Sequence, residues 1–124
     1  MKNVNQITDA ELEVMKVLWE NGSCSSSQIV ELLTTSTDWK PKTIQTLITR
    51  LVSKEAINVD KTNKKSYMYS ANISEEEYKT YANESFLKKL YNGSVNMMLS
   101  SFIKEKKLSK DDINDLKKLL DEDN

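Results

Sequence analysis

Apolar residues change their spacing twice along this 124-residue chain, and the change allows only helices, then a small hairpin, then helices again. From Pro41 onward, Ile44, Leu47, Ile48 and Leu51 recur at i, i+3, i+4 and i+7, the mark of one buried helical face. After Lys54-Glu55-Ala56 the spacing drops to two. Ile57 and Val59 alternate with polar residues, and then Tyr67, Tyr69 and Ala71 alternate with Ser66, Met68 and Ser70. From Ser74 helical spacing returns and continues to Leu120.

The segment 39–54 organises the rest. Pro41, the only proline, has a fixed φ that suits the first turn of a helix. Opposite the Ile44-Leu47-Ile48-Leu51 stripe lie Lys42, Thr43, Thr46, Thr49, Arg50 and Ser53, a face of cations and short hydroxyls without a carboxylate. Solvated helix faces mix both signs of charge, so this one reads either as a bland cationic face or as one that meets phosphate oxygens and base edges.

Two helices precede it. Thr8-Asp9-Ala10-Glu11 is a capping box that starts the first, whose stripe is Leu12, Met15, Leu18 and Trp19 and whose stop is Asn21-Gly22. Ser25 and Gln28 form a second box. The helix they start is expected to bury Ile29, Leu32 and Leu33 and to run out in Thr34 to Thr37, leaving a connector longer than a tight helix-turn-helix turn. The hairpin follows, with Thr62-Asn63-Lys64-Lys65 at its tip and Asn63 suited to a left-handed turn. Helix, helix, cationic helix and cationic hairpin make up a winged helix. Lys64 and Lys65 then either contact phosphates or keep an edge hairpin soluble.

Cys24 is the single cysteine and histidine is absent, which excludes internal disulfides, zinc sites of clustered Cys and His, and Ser-His or Cys-His catalytic pairs. Cys24 reads as a small loop residue. The two glycines form no phosphate-binding loop, and the carboxylates fall where capping and solvation explain them. No cofactor, metal or enzymatic activity is expected. No apolar run reaches bilayer length and the first residues lack a signal peptide's apolar core, so the expectation is a cytoplasmic protein without membrane insertion. The net charge of −1 conceals an asymmetry: residues 40–65 carry seven cations against two anions, whereas residues 8–36 carry one cation against five anions.

Ser74 and Glu77 form a third capping box, and the helix behind it carries Tyr78, Ala82, Phe86, Leu87, Leu90 and Tyr91 before Asn92-Gly93. Val95, Met98, Leu99, Phe102 and Ile103 line the next helix; Ser109 caps a last one with Ile113, Leu116 and Leu120. Three such helices in about fifty residues cannot cover their own stripes, so they fold back on the N-terminal part or pair with a second subunit; homodimerisation is favoured. The expected fold class is mainly α, an α+β winged helix. Its domains are a winged-helix DNA-binding domain over residues 1–73 and a three-helix dimerisation domain over residues 74–124.

Thr43-Ile-Gln-Thr-Leu-Ile-Thr-Arg-Leu51, preceded by Trp39-Lys-Pro-Lys42, resembles the recognition helix of the BlaI/MecI/CopY penicillinase-repressor family. Glu13-Val-Met-Lys-Val-Leu-Trp19 resembles that family's first helix, and Phe86-Leu-Lys-Lys-Leu-Tyr91 its first dimerisation helix. The resemblance runs from about Ile7 to Leu120. It implies a homodimeric repressor that binds a palindromic operator in double-stranded DNA and controls β-lactam resistance genes. It also implies contacts from Lys42, Thr43, Thr46 and Arg50. Gln45 stands where close relatives carry arginine, so that position adds less to affinity or meets a different base. The copper-responsive branch ends in a cysteine-rich motif that Leu120-Asp-Glu-Asp-Asn124 lacks. In the β-lactam branch a membrane-sensor pathway leads to cleavage of an Asn-Phe bond, for which Ser101-Phe102 stands here; Phe102 also has a structural reading as part of its helix stripe.

The mechanism expected is occlusion: paired 41–54 helices in successive major grooves, Thr43 and Thr46 at base edges, and Lys42, Arg50, Lys64 and Lys65 on phosphates. Two other readings stay open. One is a small-molecule-responsive regulator whose pocket is lined by Tyr78, Tyr81 and the methionines. The other is a protein–protein interaction module with incidental cations.

Overall fold

The computed structural model describes Val4 and residues 7–122. Its first helix, α1 (Asp9–Asn21), starts at Thr8, whose hydroxyl accepts the Glu11 N–H while the Glu11 carboxylate accepts the Thr8 N–H, so both ends of the capping box are made. Gly22, at φ 75°, ends it. A two-residue strand, β1 (Cys24–Ser25), precedes α2 (Ser26–Ser36), which opens on the reciprocal Ser25–Gln28 box. Then come α3 (Pro41–Ser53), β2 (Ile57–Asp60) and β3 (Met68–Ala71).

Around α2 three details depart from the sequence reading. Cys24 is a buried strand residue, not a loop residue: β1 adds a third strand beside β3 in the antiparallel order β1-β3-β2, with Cys24 opposite Tyr69. The helix before the connector is longer than expected: it runs to Ser36, and Thr34, Thr35 and Thr37 each return a hydroxyl hydrogen bond to the carbonyl four residues back. Only residues 37–40 then separate α2 from α3, a tight turn. Leu32 points out of the core at 43% exposure, while Ile29 and Leu33 fill it.

Helices α1, α2 and α3 enclose one apolar core with Ala56, Ile57 and Ile73. Ile44 and Leu51 are fully buried, and Leu47 and Ile48 nearly so, which bears out the stripe. Among the described residues one charged group lies in this core. Glu11, 0% exposed, receives the Lys54 ammonium at 2.6 and 2.9 Å on its two oxygens. The helix and sheet arrangement is a winged helix, as the change of period indicates.

Ile73 leads into α4 (Glu75–Tyr91), capped by the Ser74–Glu77 box. Trp19 holds this entry: its indole N–H donates to the Ile73 carbonyl at 2.9 Å, and its ring lies 5.8 Å from Tyr78. The described residues up to Tyr81 form one compact unit and those from Ala82 a second. The second unit holds the rest of α4 together with α5 (Val95–Lys104) and α6 (Lys110–Glu122). Asn92 and Gly93, both at positive φ, end α4, and the Ser109–Asp112 box starts α6. No described helix is long and apolar enough to cross a membrane.

Candidate nucleic-acid interface

Helix α3 separates its two faces cleanly. Ile44, Leu47, Ile48 and Leu51 are buried, whereas Lys42, Thr43, Gln45, Thr46, Thr49 and Arg50 are all exposed. Pro41 at the first position fixes the entry. At the far end the chain turns through Glu55 at φ 62°, with the Ala56 N–H bonded to the Leu51 carbonyl. Thr46 and Thr49 donate their hydroxyl protons at 3.0 Å to the carbonyls of Lys42 and Gln45, so both side chains lie close against the helix. The exposed face offers ammonium and guanidinium charge, one amide and short side chains, and no carboxylate.

The hairpin borders this face. Thr49, Val52 and Ser53 of α3 line one recess of about 240 Å³ together with Lys61, Tyr67 and Tyr69. Lys61 sits 5.7 Å above the Tyr67 ring. Tyr67 precedes β3 and is 39% exposed, so it is not the strand residue that alternation suggested. Asn63 does not take the expected left-handed conformation. Its side chain accepts the Lys65 N–H at 3.0 Å, and Asp60 accepts the N–H and hydroxyl of Thr62. Those two bonds, the hydroxyl's first, hold the Asp60 carboxyl below its ordinary pKa. Lys64 and Lys65 are exposed at the tip and line a polar recess of about 220 Å³ with Ser25, Ser26 and Ser27.

Lys54 is the cation that sequence reasoning misplaced. It belongs to the positive block in sequence, yet its charge is directed into the core at Glu11. Burial raises the pKa of the Glu11 carboxyl, but the Lys54 bond and the Thr8 backbone N–H outweigh it, and the net pKa lies below the usual carboxylate value. Cys24 is buried, and burial pushes its thiol pKa up, the opposite of activation.

In the second unit no described residue of α5 or α6 is buried. Leu87, Met98, Leu99, Phe102 and Ile113 are half-buried; Phe86, Leu90, Val95, Ile103, Leu116 and Leu120 are exposed. Met97 and Leu119, absent from the sequence-derived set, are exposed as well, at 51% and 58%. The Ser101-Phe102 bond lies inside α5, where the Ser101 carbonyl accepts the Glu105 N–H at 3.0 Å. A recess of about 590 Å³ beside α5 is lined by Leu90, Tyr91, Met97 and Ser101 among others, but not by Tyr78 or Tyr81. Tyr78 is engaged by Trp19. Among the described residues no three His, Cys, Asp or Glu side chains gather as a metal site would need.

A family model described as "Penicillinase repressor" matches residues 7–122. The chain is 41% identical over 122 residues to a penicillinase repressor of Bacillus licheniformis, covering 98% of this chain and 94% of that protein. It is 36% identical over 115 residues to the methicillin resistance regulatory protein MecI of Staphylococcus aureus strain N315, covering 93% of each. Among solved structures, the DNA-binding domain of the repressor BlaI superposes with a TM-score of 0.56 at 44% identity, covering 63% of this chain and 94% of that one. The monomeric form of Bacillus licheniformis BlaI, solved in complex with the blaP half-operator, superposes with a TM-score of 0.54 at the same identity and coverage.

Proposed function

The chain belongs to the penicillinase repressor family, and from that premise we propose that it is a transcriptional repressor of resistance genes that binds a palindromic operator as a homodimer. The observation that carries this reading is the division of α3: four buried anchors behind a carboxylate-free face of exposed cations, hydroxyls and one amide. Lys42 and Arg50 hold phosphates, Thr43, Gln45 and Thr46 meet base edges, and Lys64 and Lys65 grip the flanking backbone. Two copies place their α3 helices about 34–36 Å apart in successive major grooves. Repression is occlusion of the promoter.

The three-helix region supplies the second copy's contact through its exposed apolar residues, so avidity sets operator affinity. Cleavage at Ser101-Phe102 by a protease of a membrane-sensor pathway would remove the later part of that contact. Because the bond lies within α5, the helix must unwind locally before a protease can hold it extended.

Fluorescence anisotropy of the full chain on a duplex enriched from a random library tests the assignment. Lys42→Ala and Arg50→Ala should each weaken binding on every sequence and reduce the slope of log affinity against log salt by about one. Unchanged affinity and slope in both variants would exclude these two residues from the interface.

A further inference from the structure

We propose that Gln45 sets the sequence preference of the half-site by reading an adenine; the inference rests on the operator-binding reading above. Lys42, Gln45, Thr46 and Thr49 stand at i, i+3, i+4 and i+7, so they form one stripe along the exposed face of α3, and all four are exposed. Their chemistry differs sharply. Lys42 has donors only. Thr46 and Thr49 have committed their hydroxyl protons to helix carbonyls, which leaves a methyl group and acceptor lone pairs to offer. Gln45 carries the stripe's one side-chain amide, and among the described residues that amide has no hydrogen-bond partner within the protein.

An unpaired primary amide presents a donor and an acceptor side by side. Adenine shows the matching pair in the major groove, an N6 amino donor beside the N7 acceptor, so both bonds form at once. Guanine shows two acceptors there and leaves the amide oxygen facing another oxygen. Cytosine and thymine satisfy one half of the amide only. Thr46 and Thr49, which follow Gln45 on the stripe, suit the same base pairs, because a methyl with no free donor packs on the thymine methyl. No carboxylate on the face can take the cytosine amino group. Gln45 also lies in the N-terminal half of α3, the part of a recognition helix that reaches base edges.

The test is selection from a random duplex library with the full chain, its Gln45→Ala variant and its Gln45→Arg variant. The wild-type chain should require A·T at one symmetry-related pair of positions. Gln45→Ala should relax that pair by roughly tenfold in preference, leaving the other positions and the salt slope in place. Gln45→Arg should move the same pair to G·C, since arginine pairs with guanine N7 and O6. Melting curves of both variants, each altered at an exposed position, confirm that they are folded. Three results overturn the inference alone: an unchanged selected sequence in both variants, a loss spread evenly over all sequences with a flatter salt slope, or a wild-type preference for G·C at the position that Gln45→Ala relaxes. A wild-type chain that selects no sequence overturns the operator reading and this inference together.

Discussion

Ile44 and Leu51 in the first unit are completely buried, whereas Leu90 and Leu120 in the second are 64% and 65% exposed, although all four lie on helical apolar stripes of similar spacing. The difference comes from what each helix has beside it. Helix α3 is packed by α1, α2 and the start of β2, so its anchors complete a core within one chain. Helices α5 and α6 have no buried residue, and neither does α4. An apolar stripe therefore specifies a helix in both units but a closed core in only one. The first unit closes a core of its own. The second presents a surface whose stability, on the reading above, depends on protein concentration.

The largest effect that would break this contrast lies at Glu11, the one buried charged group among the described residues of the first unit. Lys54→Ala leaves the Glu11 carboxylate buried without its ammonium partner, which should cost about 3 kcal/mol at neutral pH. The pH dependence gives the sign. The folded-state pKa of Glu11 lies below the ordinary value of 4.5, so its contribution is complete above that value and is lost as pH falls through the lower folded pKa. In Lys54→Ala, burial is no longer opposed by the ammonium and the carboxyl protonates more readily. The gap between wild type and variant should then shrink on acidification, as urea unfolding at pH 7 and near pH 4 would read. A gap that stays constant with pH would mean that Lys54 acts through packing of its stem.

In the second unit the matching experiment is Leu90→Ser with Leu120→Ser. Both side chains are already mostly in water in one copy of the chain, so melting of the first unit should hardly change. Sedimentation should show a monomer, and operator affinity should fall roughly a hundredfold through lost avidity. A variant that remains dimeric with wild-type affinity would assign the contact to other residues. A variant whose first unit melts early would erase the contrast itself.

The parts of this contrast that sequence revealed are the local ones. Four capping boxes, at Thr8, Ser25, Ser74 and Ser109, close over three residues and were legible for that reason. The α3 anchors and the exposed reading face follow from one period in one segment. What escaped notice depends on partners far along the chain. Glu11 and Lys54 are 43 residues apart, and nothing in either neighbourhood marks a pair. Cys24 and Ser25 are too short a strand to show a period and exist as one because β3 runs beside them. Leu32 fits the α2 stripe in sequence, yet the core that accepts Ile29 and Leu33 does not extend to it.

The smallest effect concerns α4, the helix that begins in one unit and ends in the other. Its beginning is fixed three times: the Ser74 hydroxyl accepts the Glu77 N–H at 3.0 Å, the Ile73 carbonyl accepts the Trp19 indole, and Tyr78 rests on the Trp19 ring. Beyond Tyr81 the helix carries Phe86, Leu87 and Leu90 without burying any of them fully. If α4 is held chiefly at its entry, Ser74→Ala should cost about 1 kcal/mol, the usual worth of an N-cap, and the loss should spread along the helix. Amide exchange would then speed up beyond Tyr81 as well as in the first turn. If exchange rises only at residues 75–78, the later turns are secured by their own unit or by a second copy. Repeating the exchange at low and high protein concentration separates those two, because only an intersubunit contact strengthens with concentration.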